Sequence, residues 1–271
     1  MGAAVVVATA AAVAGADVAG AGAARPRRLS RLPDTTPVPP TVVVPPAMRL
    51  RASLPRWQEA SEWAGRLVQF GLVPQWTQLP PLILNDDSFT ICSRHGSTTL
   101  PAMTKEIEKL ISSGSVVEAK ENKPNEIMAI SVMFPVPKKD GRTRPVINLK
   151  KTINPYVEQI HFKMEGLKTV RDMIRKNFWM VKADLADAFH HVPLHADHQR
   201  FFRFRWKGKL YQWQVMPFGY KDAPRTFTKL MMVLAKVARA KGLRIVVYQD
   251  DILIMAPTEE ECAIATHSSR F

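Results

Sequence analysis

The chain has 271 residues, 46% of them hydrophobic and 23% charged, with 38 Lys and Arg against 24 Asp and Glu for a net charge of +14. Two cysteines exclude a disulfide framework and any cysteine-rich zinc module. Outside the first 24 residues no apolar run approaches the ~20 that a membrane span needs, and the Ala/Val tract from Met1 to Ala24 is broken by Gly15, Asp17, Gly20 and Gly22 and lacks the leading basic segment of a secretory signal.

In chain order, residues 1–56 read as a low-complexity, disordered leader. The Ala/Val tract gives way to Arg25, Arg27, Arg28 and Arg31 and then to a proline-rich stretch from Pro26 to Pro55. Pro37-Val38-Pro39-Pro40 and Pro45-Pro46 favour extended polyproline conformations and forbid helix. Globular character begins at Trp57, and residues 57–127 read as a helical extension. Trp63, Leu67 and Phe70 fall at helical spacing within 57–72, before Pro74, Pro80 and Pro81 interrupt. Leu100 to Ser113 is a second helix, with Thr104 as a cap, an apolar stripe of Ile107, Leu110 and Ile111, and Gly114 as its stop.

Residues 128–271 alternate strands and helices without a regular βαβ repeat, which points to the α+β class. Ser131 to Val136 and Pro145 to Leu149 are strands joined by a turn with Asp140-Gly141 at its tip. Leu167 to Asn177 is helical and Trp179 to Leu185 is a strand. Phe201 to Trp206 alternates apolar and basic residues, then Lys207-Gly208-Lys209 turns the chain into Leu210 to Val215. Ala223 to Lys241 is a long helix, Arg244 to Met255 a hairpin with the two aspartates at its bend, and Thr258 to Ala265 the start of a further helix. The positive excess lies in this part. Residues 138–244 hold 24 Lys and Arg against 8 Asp and Glu, a net +16, while the rest of the chain sums to −2. Such a field suits a polyanion such as nucleic acid; a solvated basic face or a membrane-surface patch is the plainer alternative.

The chemistry-bearing feature is in the last hairpin. Ile245-Val246-Val247-Tyr248 opens onto Gln249-Asp250-Asp251 and closes as Ile252-Leu253-Ile254-Met255. Ionised carboxylates inside strand-forming runs are costly unless cations meet them. Asp184 stands in a similar run, Val181-Lys182-Ala183-Asp184-Leu185. Three carboxylates on two strands are what a two-magnesium phosphoryl-transfer site needs. A plain Asp-rich hairpin turn is the competing explanation.

Tyr248-Gln249-Asp250-Asp251 resembles the YxDD box of reverse transcriptases. Asp184-Leu185-Ala186-Asp187-Ala188-Phe189 with Val192-Pro193-Leu194 resembles the family's first catalytic box. Met216 to Pro224 with Phe227 and Met231 resembles the box between them, and Phe134 to Asn148 the fingers hairpin. The wording is most similar to gypsy-type and DIRS-like retrotransposon polymerases, through His161-Phe162-Lys163-Met164-Glu165, Phe202-Arg203-Phe204 and Phe227-Thr228-Lys229-Leu230.

The resemblance implies a right-hand polymerase fold, fingers and partial palm, with an antiparallel sheet flanked by helices. It implies an intracellular RNA-directed DNA polymerase that transfers a nucleotide from a dNTP to a primer 3′-hydroxyl on an RNA or DNA template, with other retroelement proteins as further partners and no membrane. Asp184, Asp250 and Asp251 would hold two Mg²⁺ ions, with Mn²⁺ as a substitute. Lys138 and Arg144 would contact the triphosphate, helped by main-chain amides around Asp187 and Ala188. Phe189 would sit under the sugar as the gate against a 2′-hydroxyl, Phe218 and Gly219 would line the nucleotide pocket, and Tyr248 and Gln249 would touch the primer terminus. Family members continue well past the YxDD box, so the resemblance also implies a polymerase incomplete at its C-terminus. The alternative is a non-catalytic nucleic-acid-binding remnant of such an enzyme.

Three other groupings are weaker. His190, His191, His195 and His198 read as surface or supporting histidines rather than a metal cluster. Trp57, Trp63 and Trp76 read as core. Lys221, Arg225, Lys229, Lys236, Arg239 and Lys241 could follow a template backbone or form a solvated helical face.

Overall fold

The computed structural model describes residues 5–12, 45–84, 96, 98–120, 128–138, 141 and 143–268. In chain order these form strand β1 (Val5–Ala12), helices α1 (Pro46–Arg51), α2 (Leu54–Ala60) and α3 (Glu62–Phe70), strand β2 (Ile83–Leu84), and helix α4 (Thr99–Ser112). Strands β3 (Val116–Glu118), β4 (Ala129–Ile130), β5 (Met133–Pro137) and β6 (Thr143–Ile147) follow, then helix α5 (Leu167–Met173) and strand β7 (Trp179–Leu185). The chain continues through β8 (Arg203–Trp206), β9 (Lys209–Trp213), helix α6 (Ala223–Ala240), β10 (Arg244–Tyr248), β11 (Asp251–Ala256) and helix α7 (Glu259–Ser268). The α+β class is as expected.

Two compact units share these elements. The first comprises Met1–Val42, Lys163–Ala186 and Leu230–Phe271, and the second Val43–Phe162 and Asp187–Lys229. The first is built on a sheet of order β1-β7-β11-β10, every neighbour antiparallel. Along β7, Val181 and Ala183 are buried while Lys182 and Asp184 are exposed, the alternation of a sheet with one covered face. Helix α7 packs on β7 and β11, with Cys262 and Ala265 turned inward. Its start is set by Thr258, whose hydroxyl accepts from Glu261 N–H, and by Glu259, Glu260 and Glu261 at the positive end of the helix dipole.

The second unit holds a five-stranded sheet, β2-β4-β8-β9-β3, and the separate hairpin β5-β6. Phe201, Phe202, Phe204, Trp213, Met133, Ile147 and Met216 are among its largest fully buried side chains. Lys207 (φ 48°) and Gly208 (φ 77°) make the two-residue turn between β8 and β9, where positive φ at both positions matches the twist of the strands.

Several expectations need correction. The proline-rich stretch does not exclude helix at its end: Pro46 and Pro55 fall in the first turns of α1 and α2, where the missing N–H costs nothing. The leader reading of residues 1–44 is not among these corrections: Val5–Ala12 pairs with β7, and the remainder of residues 1–44 lies outside those described. Thr104 is not a cap; it lies inside α4 and donates to the Leu100 carbonyl one turn back. Met103, Ile107 and Leu110 are that helix's buried residues, while Ile111 is exposed, and Gly114 (φ 69°) does follow its end. Helix α5 stops at Met173, short of Asn177. Asp140 lies outside the described residues; Gly141, with φ 78°, sits in the loop between β5 and β6.

Candidate active site

In the first unit Asp184 is the penultimate residue of β7 and Asp251 the first of β11, and the two are direct cross-strand partners. Direct partners in an antiparallel pair carry Cβ atoms ~5 Å apart on one face, so their carboxylates share a small volume. Tyr248 of β10 is Asp251's partner on the other side and is 48% exposed. Gln249 and Asp250 form the two-residue turn, Gln249 with φ 53°. Leu185 N–H donates to the Asp250 carbonyl at 3.1 Å, which fastens this turn to the end of β7. Asp251 thus lies on the returning strand, not at the bend.

Lys182, two residues before Asp184 on the same exposed face, places its ammonium 2.9 Å from Asp251 Oδ1. Its pKa is raised above the usual lysine range, first by that hydrogen bond, then by the charge of Asp251, and more weakly by Asp184 and Asp250, against a lowering from desolvation. All three carboxylates therefore bear on one point. Among the described residues, no group of three His, Cys, Asp or Glu side chains is arranged to hold a metal ion. Oxygens of two paired carboxylates on an open face, with a third acid on the adjoining turn, are the ligand type that a divalent cation takes; the Lys182 ammonium stands where that positive charge would be favoured.

The expected nucleotide-binding residues fall in the second unit. Lys138 follows the last residue of β5, and Arg144 on β6 pairs with Val136. The Arg144 guanidinium lies 4.6 Å over the Phe218 ring, a cation–π contact. Phe218 in turn lies 5.2 Å from Phe189 and 5.2 Å from His190, and Phe189 lies 5.6 Å from Phe227. Asp187 takes a left-handed conformation (φ 50°), and Ala188–His191 is a 3₁₀ turn beginning there. Gly219 has φ 100°; its carbonyl accepts from the Asn154 side-chain amide at 2.9 Å, while Asn154 Oδ1 accepts from Lys221 N–H at 2.9 Å. Asn154 thereby clamps the loop that carries Phe218 and Gly219. Its partners are 65 residues or more away, so no local pattern marks it.

The weaker groupings resolve into structural roles. His190 is buried against Trp213 and Phe218, and His198 accepts a hydrogen bond from the Trp76 indole at 3.2 Å. Trp57 is buried, whereas Trp63 is half-buried under the Lys229 ammonium, 4.0 Å from its ring. On the basic stripe, Lys221 donates to the Val157 carbonyl, Arg225 pairs with Asp222, and Arg239 pairs with Glu165. Those cations have partners within the fold.

Residues 136–269 match the family described as reverse transcriptase (RNA-dependent DNA polymerase). The chain is 30% identical over 176 residues to a putative enzymatic polyprotein of Cassava vein mosaic virus, covering 64% of this chain and 26% of that protein. It is 31% identical over 162 residues to the Transposon Tf2-3 polyprotein of Schizosaccharomyces pombe, covering 60% of this chain and 12% of that protein. It therefore spans about a quarter or less of those relatives. Among solved structures it is similar to a foamy viral protease-reverse transcriptase in complex with dsDNA, with a TM-score of 0.57, 21% identity, and coverage of 86% of this chain and 50% of that one. The same protein in complex with an RNA/DNA hybrid gives a TM-score of 0.56 at 19% identity, covering 91% and 33%. The chain thus has the fold of the reverse transcriptase right hand, and its residues 136–269 are similar to the reverse transcriptase family.

Proposed function

We propose that this chain contributes the fingers and palm of an RNA-directed DNA polymerase of a gypsy-type or DIRS-like retrotransposon. The observation that carries the reading is the cross-strand pairing of Asp184 with Asp251, with Asp250 on the adjoining turn. A chain fold supplies that arrangement only by placing two remote sequence segments in one register. In this reading residues 57–127 lead into the fingers, residues 128–271 form fingers and palm, and the first unit's sheet is the palm.

The reaction joins the primer 3′-oxygen to the α-phosphorus of a dNTP, breaks the bond to the β-phosphate oxygen, and releases pyrophosphate and the hydroxyl proton. Asp184, Asp250 and Asp251 would hold two Mg²⁺, or Mn²⁺. Bound there, the ions would supply acidification of the primer hydroxyl and neutralisation of charge on the leaving pyrophosphate. The chain's own side chains do the rest by placement. Lys138 and Arg144 draw the triphosphate, the guanidinium already oriented by the Phe218 ring. Amides around Asp187 and Ala188 hold the same phosphates. Phe189, supported by Phe218 and Phe227, faces the sugar and rejects a 2′-hydroxyl, while Phe218 and Gly219 line the pocket. Tyr248 and Gln249 meet the primer end. RNA or DNA template with primer, and dNTP, are the partners, with other retroelement proteins beside them. Among the described residues no helix is long and apolar enough to cross a membrane, and an intracellular setting follows from the substrates.

Primer extension on an RNA template with Mg²⁺ and dNTPs tests this. Incorporation should be lost by a factor of about 10²–10³ in Asp250→Asn, the scale on which removing one group that stabilises transition-state charge operates. Salt-sensitive binding of template and primer without incorporation in the unaltered chain would point to a binding remnant instead.

A further inference from the structure

Strand β10 is the outer edge of the first unit's sheet, and an edge strand leaves alternate N–H and C=O groups unpaired by the ladder. In β10 two of these groups, one N–H and one C=O, are met by side chains. The Glu165 carboxylate accepts from Val247 N–H at 2.9 Å. Arg239, from the last turn of α6, donates through Nε and Nη2 to the Ile245 carbonyl at 3.0 and 2.6 Å. The same Nη2 lies 2.7 and 2.8 Å from the two Glu165 oxygens. Glu165 is 12% and Arg239 26% exposed, so the pair is screened far less than one on the open surface. One residue earlier, Met164 places its sulfur 3.6 Å from the Gln249 side-chain amide, at the turn itself.

The turn that carries Asp250 is therefore held from both sides. On one side β11 is registered against β7, and Leu185 N–H bonds the Asp250 carbonyl. On the other, a short segment, Met164-Glu165, lies along β10 and the turn as a strap, locked by Arg239. Val247 lies three residues before Asp250, next to the last residue of β10, where the strand enters the turn.

We propose that Glu165 and Arg239 are positioning residues that fix the β10–β11 turn, and with it the carboxylates of Asp250 and Asp251, for divalent-cation binding. This rests on the function proposed above. An ion pair suits the role better than another strand would, because it covers an N–H and a C=O without extending the sheet past the hairpin.

The test uses the full chain with two readouts, Mn²⁺ affinity from the electron paramagnetic resonance of free Mn²⁺, and hydrogen exchange of peptides spanning residues 244–255. Glu165→Ala and Arg239→Ala should weaken Mn²⁺ binding about tenfold, the usual cost of removing a group that orients metal ligands, and should speed exchange in the hairpin. Peptides spanning residues 203–213 should be unchanged. Glu165→Gln and Arg239→Lys, which keep part of the hydrogen bonding, should fall between, and they serve if the alanine variants fail to fold. Faster exchange with unaltered Mn²⁺ affinity would overturn the positioning role and leave edge cover alone. No change in either readout would overturn the whole proposal. An unaltered chain that binds no Mn²⁺ would sink the metal-site reading and the positioning role with it, while the exchange data would still report whether the strap holds the edge.

Discussion

The Lys182 ammonium sits 2.9 Å from Asp251 Oδ1, two residues along β7 from Asp184, the residue that Asp251 faces across the ladder. A resident cation at that point competes with any metal ion for the same carboxylate. Lys182→Met should therefore tighten Mg²⁺ binding severalfold in calorimetric titration at low salt, with the gain shrinking as ionic strength rises. Both partners are about half exposed, so the melting temperature should barely move. Weaker Mg²⁺ binding in the variant would mean that Lys182 organises Asp251 rather than opposing the ion.

Gly219 is fixed by sterics. Its φ of 100° is strained for any L side chain, and a Cβ built there would clash with the Ile147 carbonyl oxygen. Gly219→Ala should destabilise the chain by about 2 kcal/mol or more in urea unfolding. Gly208, with φ 77° and nothing within 4 Å of a built Cβ, supplies the comparison. Its alanine variant carries only the conformational strain, about 1 kcal/mol. Equal losses at both positions would show that the Ile147 contact yields without cost.

These residues also mark what the sequence discloses and what it withholds. Asp184, Asp250 and Asp251 stand out because carboxylates interrupt strand-forming runs, and the Lys207-Gly208 turn because its glycine tolerates positive φ. Glycine at 219 can be read as pocket lining, but its contact with Ile147 joins positions 72 apart and leaves no local trace. The same holds for Glu165 with Arg239 and Asn154 with Gly219. Charge counting fails in a related way. Lys221, Arg225, Lys229 and Arg239 raise the local charge, yet each is engaged within the fold, by a carbonyl, a carboxylate, an indole ring and a carboxylate respectively. Counting cations along a helix does not reveal which have partners. Pro46 and Pro55 mislead for the opposite reason, since a residue that breaks a helix interior begins one well.

Phe189 rests against Phe218 and Phe227 and is only partly buried. Trimming it to valine should cost about 1–2 kcal/mol of stability, less than the 3–5 kcal/mol typical of a fully buried phenylalanine cut to alanine. The diagnostic effect is on substrate choice. Phe189→Val should raise incorporation of ribonucleotides relative to deoxynucleotides about tenfold, a change of ~1.4 kcal/mol in discrimination, read by primer extension with each nucleotide alone. A lower melting temperature with an unaltered ratio would make Phe189 a packing residue and nothing more.

His190 makes stability depend on pH. It is 5% exposed, and its Nε2 has no hydrogen-bond partner among the described residues. Burial pushes its pKa down to about 4; Asp187 opposes the shift, while His191, Arg144 and Lys138 add to it. The unfolded chain takes up this proton near the ordinary value of ~6.5, well before the folded chain does. Stability is therefore full above pH ~6.5, falls as the pH drops towards 4, and levels off below that. The loss from this one group between pH 7.5 and 4.5 is about 2–3 kcal/mol. His190→Phe keeps an aromatic ring against Trp213 and Phe218 but cannot take up the proton. In urea unfolding at the two pH values, the unaltered chain should lose about 2–3 kcal/mol more than this variant. Equal losses would mean that the His190 imidazole is solvated or paired in solution and does not resist protonation.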